Sequence, residues 1–266
     1  MIIKVEQLTR EYRSPEKTPG LTGAIRHLIQ PQYKIKRALN QIQFQVDYGS
    51  FIGLIGANGA GKTTLLKILS GLLPPTSGNV SVLDEDPFNK STRFRQNIAL
   101  VMGQKAQLWW DLPARDAFEL IRAIYQIDRK TYNERVGEFS KLLQVEKLLS
   151  TQIRRLSLGE RMKMELIGAL LHQPTLLFLD EPTIGLDIIA AERLRAFLKF
   201  HNSNFKTTII LTSHNLEDIE TLCNRLIILQ EGTIAFDDTL QKLDGTPLHQ
   251  YLRTLHEQAT AEEDAS

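Results

Sequence analysis

The sequence predicts an α/β fold: a mainly parallel sheet, an antiparallel β portion near the start and a helical insert. Three observations carry this. Short, mostly apolar runs recur at 51–55, 98–102, 175–179, 207–212 and 225–230. Strands covered on both faces read this way, and helical patterns lie between the runs, as parallel connections require. Gln41–Val46, by contrast, alternates polar and apolar strictly, the pattern of a half-exposed antiparallel strand. Residues 113–150 carry helical spacing (Phe118, Ile121, Ile124, Tyr125, then Val136, Phe139, Leu142, Leu143) and no strand signal, so they are expected to form the insert.

The remaining elements follow in order. Residues 1–8 alternate loosely and predict a strand. Thr64–Ser70 suits a helix, which Pro74-Pro75-Thr-Ser-Gly78 breaks before a further short strand. A helix is expected from Leu156 to His172. Ser157 is placed as its N-cap, and Glu160, three residues on, completes a capping box. Glu231-Gly232 marks a hairpin turn before a strand over 233–236. The last dozen residues, with Glu257, Glu262, Glu263 and Asp264, read as a disordered acidic tail.

Bulk properties narrow the function. The 266 residues suffice for one large domain or two small ones. Lys and Arg number 32 against 31 Asp and Glu, so no global charge points to nucleic acid, and no nucleic-acid partner is expected. A single cysteine, Cys223, excludes an internal disulfide and a thiolate zinc cluster, and is expected in the core. No apolar run is long enough to cross a bilayer and no signal peptide is evident. A soluble, cytoplasmic chain is expected, reaching a membrane only through a partner or its surface.

The chemistry begins at 56–63, Gly-Ala-Asn-Gly-Ala-Gly-Lys-Thr, the pattern G-x-x-x-x-G-K-[ST] between an apolar strand and a helix. Glycines let the loop wrap tightly and aim its N–H groups inward, and with the helix N-terminus these make an anion site. Lys62 adds a point charge for the β- and γ-phosphates, and the Thr63 hydroxyl is a ligand for Mg²⁺. A second constellation closes the run 175–179 with two carboxylates, Asp180 and Glu181. A buried parallel strand ends at the ligand edge of its sheet. Asp180 is thereby placed to hold Mg²⁺, and Glu181 to orient or deprotonate an attacking water. His214 ends another apolar strand at the same edge, within reach of a γ-phosphate. Ser157, at a helix N-terminus, marks a further anion site.

Taken in order, the phosphate loop, Gln104 after the strand at 98–102, Leu156-Ser-Leu-Gly-Glu, Asp180-Glu181, Gly185-Leu-Asp187 and His214 resemble the nucleotide-binding subunit of an ATP-binding cassette (ABC) transporter. The likeness covers residues 1–240. It implies a P-loop NTPase core with a mixed sheet, an antiparallel β subdomain and an α-helical subdomain over 104–160, followed by a C-terminal extension, 241–266. It also implies ATP and Mg²⁺ as cofactors. Tyr12 matches the aromatic that stacks on adenine. Gly56, Asn58, Gly59, Ala60, Gly61, Lys62, Thr63 and Thr64 match the loop that holds the phosphates. Gln104 matches the residue that senses the γ-phosphate and shares the metal with Thr63 and Asp180. Glu181, His214, Lys62 and Gln104 match the catalytic set. Ser157, Gly159 and Glu160 match the signature that closes on the ATP of an opposite subunit, and Asp187 the loop that crosses the dimer interface. The resemblance further implies a dimer of cassettes, presumed identical, working with separate permease subunits at the cytoplasmic face of the membrane, in the manner of export-type cassettes. The alternative is a cassette ATPase that acts on ribosomes or DNA. A kinase or GTPase reading fails on the signature and on His214.

Departures from the pattern are informative. The signature normally reads Leu-Ser-Gly-Gly-Gln. Leu158 here replaces the first Gly, which suits a backbone already helical, where Gly costs about 1 kcal/mol. Glu160 replaces Gln and sets a carboxylate near phosphates, which is unfavourable unless it faces the ribose or is paired, Arg161 being one available partner. An insert over 13–37 separates Tyr12 from the next strand. Leu21, Ala24, Ile25, Leu28 and Ile29 are spaced for one apolar helix face. Seven Lys/Arg against two Glu over 10–37 give a net charge of +5. A short basic amphipathic helix at the membrane surface or against the permease is expected, the alternative being a helix packed on the cassette flank with solvated charges. Trp109 and Trp110 follow Gln104 where the family receives its permease, and at least one of them is expected in the core of the helical insert.

Overall fold

The computed structural model describes residues 1–15, 33–103, 106–243 and 247–254. These fall into two compact units. The first takes the described residues of Met1–Val46, Gly56–Lys90 and Leu229–Ala235; the second takes the remainder.

In the first unit β1 (Ile3–Pro15) and β2 (Tyr33–Val46) form a long antiparallel ladder, from Ile3 opposite Val46 to Pro15 opposite Tyr33. β3 (Phe51–Gly56), of which only Gly56 belongs to this unit, leads through the glycine loop into α1 (Lys62–Leu69). β4 (Ser77–Val82) then pairs with β1, giving the order β2-β1-β4. The predicted alternation over 41–46 is observed, with Ile42, Phe44 and Val46 buried and the residues between them exposed. Both arms run further than the sequence suggests. Residues 13–15 and 33–37, read as part of an amphipathic helix, are paired strand. The apolar positions of that expected helix, 21–29, lie outside the described residues.

The second unit holds α2 (Thr92–Asn97), β5 (Ile98–Met102), α3 (Ala114–Ile124), α4 (Arg129–Leu143), α5 (Leu158–Leu170), β6 (Leu176–Asp180), α6 (Ile188–Phe205), β7 (Thr208–Thr212) and α7 (Leu216–Leu222). β8 (Arg225–Gln230) and β9 (Thr233–Thr239) follow, and 248–254 form α8. The six-stranded sheet has the order β5-β6-β7-β3-β8-β9, and β5, β6, β7 and β3 pair in parallel. One register row runs Met102, Asp180, Thr212, Leu54. The row matters because it brings the carboxyl ends of four strands level, the edge at which open α/β sheets bind ligands. Helices cover the strands, so β6 and β7 are buried almost throughout.

The helical segment is set by local chemistry. Asp128 caps α4 by accepting the Thr131 N–H (2.9 Å), and Gln144 ends it in the left-handed conformation. Phe139 of α4 packs edge-on against Phe197 of α6, centroids 5.5 Å apart, and both lie in the main core with Cys223. His201 is fully buried among Phe139, Phe197 and Phe205, and neither of its ring nitrogens has a partner. α5 ends at Leu170, two residues before the expected limit. In α8, Leu248 is buried and Tyr251 meets Phe236 edge-on. The acidic residues 255–266 lie outside the described residues. Among those described, no helix is long and apolar enough to cross a membrane.

Candidate functional site

The first unit carries the phosphate loop. Gly61 is the N-cap of α1 at φ +109°, and a Cβ there would sit 2.6 Å from the Ala38 carbonyl oxygen, so no side chain fits. Gly56 is as tightly constrained, 2.2 Å from the Leu229 carbonyl oxygen on the same measure. Gly59 faces open space, and its positive φ of +85° is what demands glycine there. The Lys62 ammonium, almost buried, folds back over the loop and donates to the carbonyls of Gly56 (2.6 Å) and Ala57 (3.0 Å). Ala57, Asn58 and Gly59 are exposed along the loop, as is Thr63 at the first turn of α1, while Ala60 is buried. The cradle therefore offers N–H groups, a helix N-terminus and one ammonium, a donor set that fits a triphosphate.

Tyr12 stands beside this cradle. Its hydroxyl is 3.5 Å from the Thr64 hydroxyl. The Arg10 guanidinium lies over its ring, 4.9 Å from the centroid, and is itself anchored by donating to the Pro74 carbonyl (3.0 Å). One ring face is braced in this way by a cation–π contact. The sequence reading missed Arg10, although its position two residues before Tyr12 on one strand puts both on the same face.

The second unit carries the carboxylate pair. Asp180 closes β6, and its Oδ1 accepts from the Thr212 hydroxyl at 2.7 Å. Glu181 takes a left-handed φ of +57°, an unfavourable conformation for a long side chain, and its N–H is held by Thr212 through both the carbonyl (3.1 Å) and the hydroxyl oxygen (3.0 Å). That turn points the carboxylate at His214. Oε2 accepts the His214 backbone N–H at 3.2 Å, and the His214 ring Nε2 lies 3.2 Å from Oε1. Thr212 is thus a site residue that the sequence reading passed over; its signal was a β-branched hydroxyl ending an apolar strand. Gly103 is another. Its N–H donates to the Asp180 carbonyl at 2.8 Å, and a Cβ on it would lie 2.1 Å from the Glu181 carbonyl oxygen. Gln104, the expected γ-phosphate sensor, lies outside the described residues.

The signature helix α5 begins at Leu158, in agreement with a non-glycine residue there. The capping box is present. The Glu160 N–H donates to Ser157 Oγ (3.3 Å), and Glu160 Oε2 accepts both the Ser157 N–H (2.9 Å) and the Ser157 hydroxyl (2.8 Å). Arg161, the available partner, is not the one used: the carboxylate is held by Ser157, and Arg161 lies over the Trp110 ring, 5.2 Å from its centroid. Leu158 and Gly159 pack on the loop that ends in Asp187. Leu158 comes within 2.6 Å of a Cβ placed on Gly185, and Leu186 within 3.5 Å of one on Gly159. Asp187 caps α6 by accepting the Ala190 N–H at 2.8 Å.

Both tryptophans are about half exposed, so neither fills the core; Leu108, just before them, does. Behind them Glu165 of α5 is buried and accepts the N–H groups of Gln107 (2.9 Å) and Leu108 (3.2 Å). Desolvation raises its pKa, and the two backbone donors oppose that rise. The sequence reading left Glu165 unused; its flanking Met164 and Leu166 were the only local signal.

The fold and the glycine-loop cradle define a nucleotide-hydrolysing α/β protein of the P-loop class. Residues 39–184 match the family described as ABC transporter, and the chain belongs to that family as an ATP-binding, ATP-hydrolysing subunit of transport. It is 28% identical over 215 residues to the ABC transporter ATP-binding protein NatA of Bacillus subtilis (strain 168), covering 81% of this chain and 87% of that one. It is 33% identical over 208 residues to the Nod factor export ATP-binding protein I of Burkholderia orbicola (strain AU 1054), covering 77% of this chain and 66% of that one. Among solved structures it resembles the dimeric post-hydrolysis state of the ATP-binding cassette MJ0796 bound to ADP and Pi, with a TM-score of 0.74 at 22% identity over 90% of this chain and 99% of that one; at that identity the likeness bears on fold alone.

Proposed function

We propose that two copies of this chain assemble head to tail, bind ATP between the Lys62 loop of one and the Ser157 helix of the other, and drive export through separate permease subunits. The observation that carries the catalytic part is the Glu181–His214 contact at the carboxyl edge of the sheet. In this reading Glu181 accepts a proton from an attacking water, and the His214 ring donates to the departing γ-phosphate. Lys62 leaves its loop carbonyls to meet the β- and γ-phosphates, and Tyr12, braced by Arg10, stacks on the base. Mg²⁺ would be held by the Thr63 hydroxyl, Asp180 and Gln104, and would neutralise charge on the phosphates. Ser157 releases its hydroxyl from Glu160 to reach the opposite triphosphate, while Gly159 and Asp187 line that interface. A Nod factor export protein among the relatives, and a dimeric cassette among the structural neighbours, support the export and dimer readings.

Glu181→Gln is expected to lower kcat by about a hundredfold or more while ATP still binds, and to accumulate as an ATP-bound dimer in size-exclusion chromatography. Lys62→Ala is expected to lose ATP binding. Wild-type turnover in Glu181→Gln would remove the assignment of the base.

The basic segment 13–37 supports a further contact at the cytoplasmic membrane surface. Its described part exposes Arg13, Tyr33, Lys34, Ile35, Lys36 and Arg37 on the two paired arms, a mixture of cations and apolar side chains that suits anionic lipid headgroups. Deleting 18–35 is expected to weaken sedimentation with anionic vesicles; sedimentation equal to wild type would exclude the contact.

A further inference from the structure

We infer that Asp218, at the start of α7, is a positioning residue that locks the loop carrying Glu181 to the loop carrying His214, so that the two move as one body during hydrolysis. Asp218 is fully buried. Its Oδ2 accepts two hydroxyls, from Thr183 and from Ser213 (2.6 Å). Thr183 lies two residues beyond Glu181, and Ser213 directly precedes His214. Its Oδ1 accepts Arg195 Nη1 of α6 at 2.8 Å, and Arg195 Nη2 reaches Glu217 at 2.9 Å.

The division of labour between the two oxygens carries the argument. The ion pair with Arg195 compensates the buried charge and ties α6 to α7, which is a structural duty. The hydroxyl bonds do something different. One oxygen accepts from two loops that are 30 residues apart in the chain (183 to 213), each loop bearing one of the two groups that meet at 3.2 Å. Ser213 Oγ is fixed from both sides, since it also accepts the Asn215 N–H at 3.0 Å. A shift of either loop against the other would leave a lone pair of the fully buried Asp218 unpaired, which is unfavourable. The left-handed Glu181 gains an anchor on its C-terminal side that complements the Thr212 anchor on its N–H.

The inference rests on Glu181 being the group that activates water, and the test separates the two claims. Thr183→Val and Ser213→Ala each remove one arm and leave the Arg195 pair intact. In the full chain, each is expected to lower kcat for Mg-ATP by about tenfold or more, with KM and nucleotide affinity changed by less than about twofold, because misplacing a catalytic group slows chemistry without weakening ground-state binding. Thr183→Ser, which keeps the hydroxyl, is expected to restore turnover. Arg195→Met, by contrast, is expected to lower the melting temperature. Wild-type kcat in both Thr183→Val and Ser213→Ala, alongside an inactive Glu181→Gln, would overturn the lock alone. A loss that follows melting temperature and is not rescued by Thr183→Ser would reduce Asp218 to a structural ion pair. Full turnover in Glu181→Gln would overturn the underlying reading, and this inference with it.

Discussion

Glu181 shows how much of the site depends on single backbone positions. Its carboxylate reaches His214 only because the chain turns left-handed after β6, and that turn is held by Thr212 on one side and pressed by Gly103 on another. A methyl group at 103 would overlap the Glu181 carbonyl oxygen. Gly103→Ala is therefore expected to displace the turn, cost on the order of 1–3 kcal/mol of stability, and lower kcat more than it raises KM; steady-state kinetics with a thermal melt checks both. Glu160 illustrates the same dependence in polar form. A carboxylate in place of the family's amide takes the Ser157 hydroxyl for itself, so the signature serine of this chain is engaged within its own helix cap.

Among elements, α5 joins the two ends of the second unit's chemistry. Its first turn carries Ser157 and Glu160, and its middle carries Glu165, whose carboxylate holds the backbone of Gln107 and Leu108. Arg161 adds a contact to the Trp110 ring. The segment with Trp109 and Trp110 is consequently fixed to the signature helix while both indoles stay half exposed. Large exposed aromatics on a fixed backbone make good interface anchors. Under the proposed function, Trp109→Glu and Trp110→Glu are expected to weaken co-purification with the proposed permease subunits and to leave ATP binding unaltered. Unchanged co-purification of both variants would remove this face from the permease contact.

For the whole molecule, the fully buried His201 and the partly buried His172 are expected to set a response to acid. Desolvation pulls both His172 and His201 down to about 4. A histidine kept neutral in the folded state binds its proton more readily when unfolded, so the stability it contributes is full above the unfolded value near 6.5. It is lost progressively as pH falls from there towards 4. The melting temperature is expected to drop across that window, and less steeply in His201→Phe, which fits an aromatic pocket and has no proton to take up; identical slopes would exclude His201 as a cause.

The sequence alone determined the parallel strand runs, the glycine loop, the carboxylate pair after β6, the capping box and the family order of motifs, because each is written in neighbouring residues. Period, turn chemistry and strand-end position are local properties that a chain cannot hide. What only tertiary structure decided lies between distant segments. The partners of Glu165, the exposure of both tryptophans, the strand pairing of 13–15 with 33–35 and the double hydroxyl grip of Asp218 all depend on which distant residues folding brings together. Spacing along the chain carries no record of that. Hydrogen bonds and close packing are short-ranged, so their partners are fixed only when the sheet and its helices have set the register.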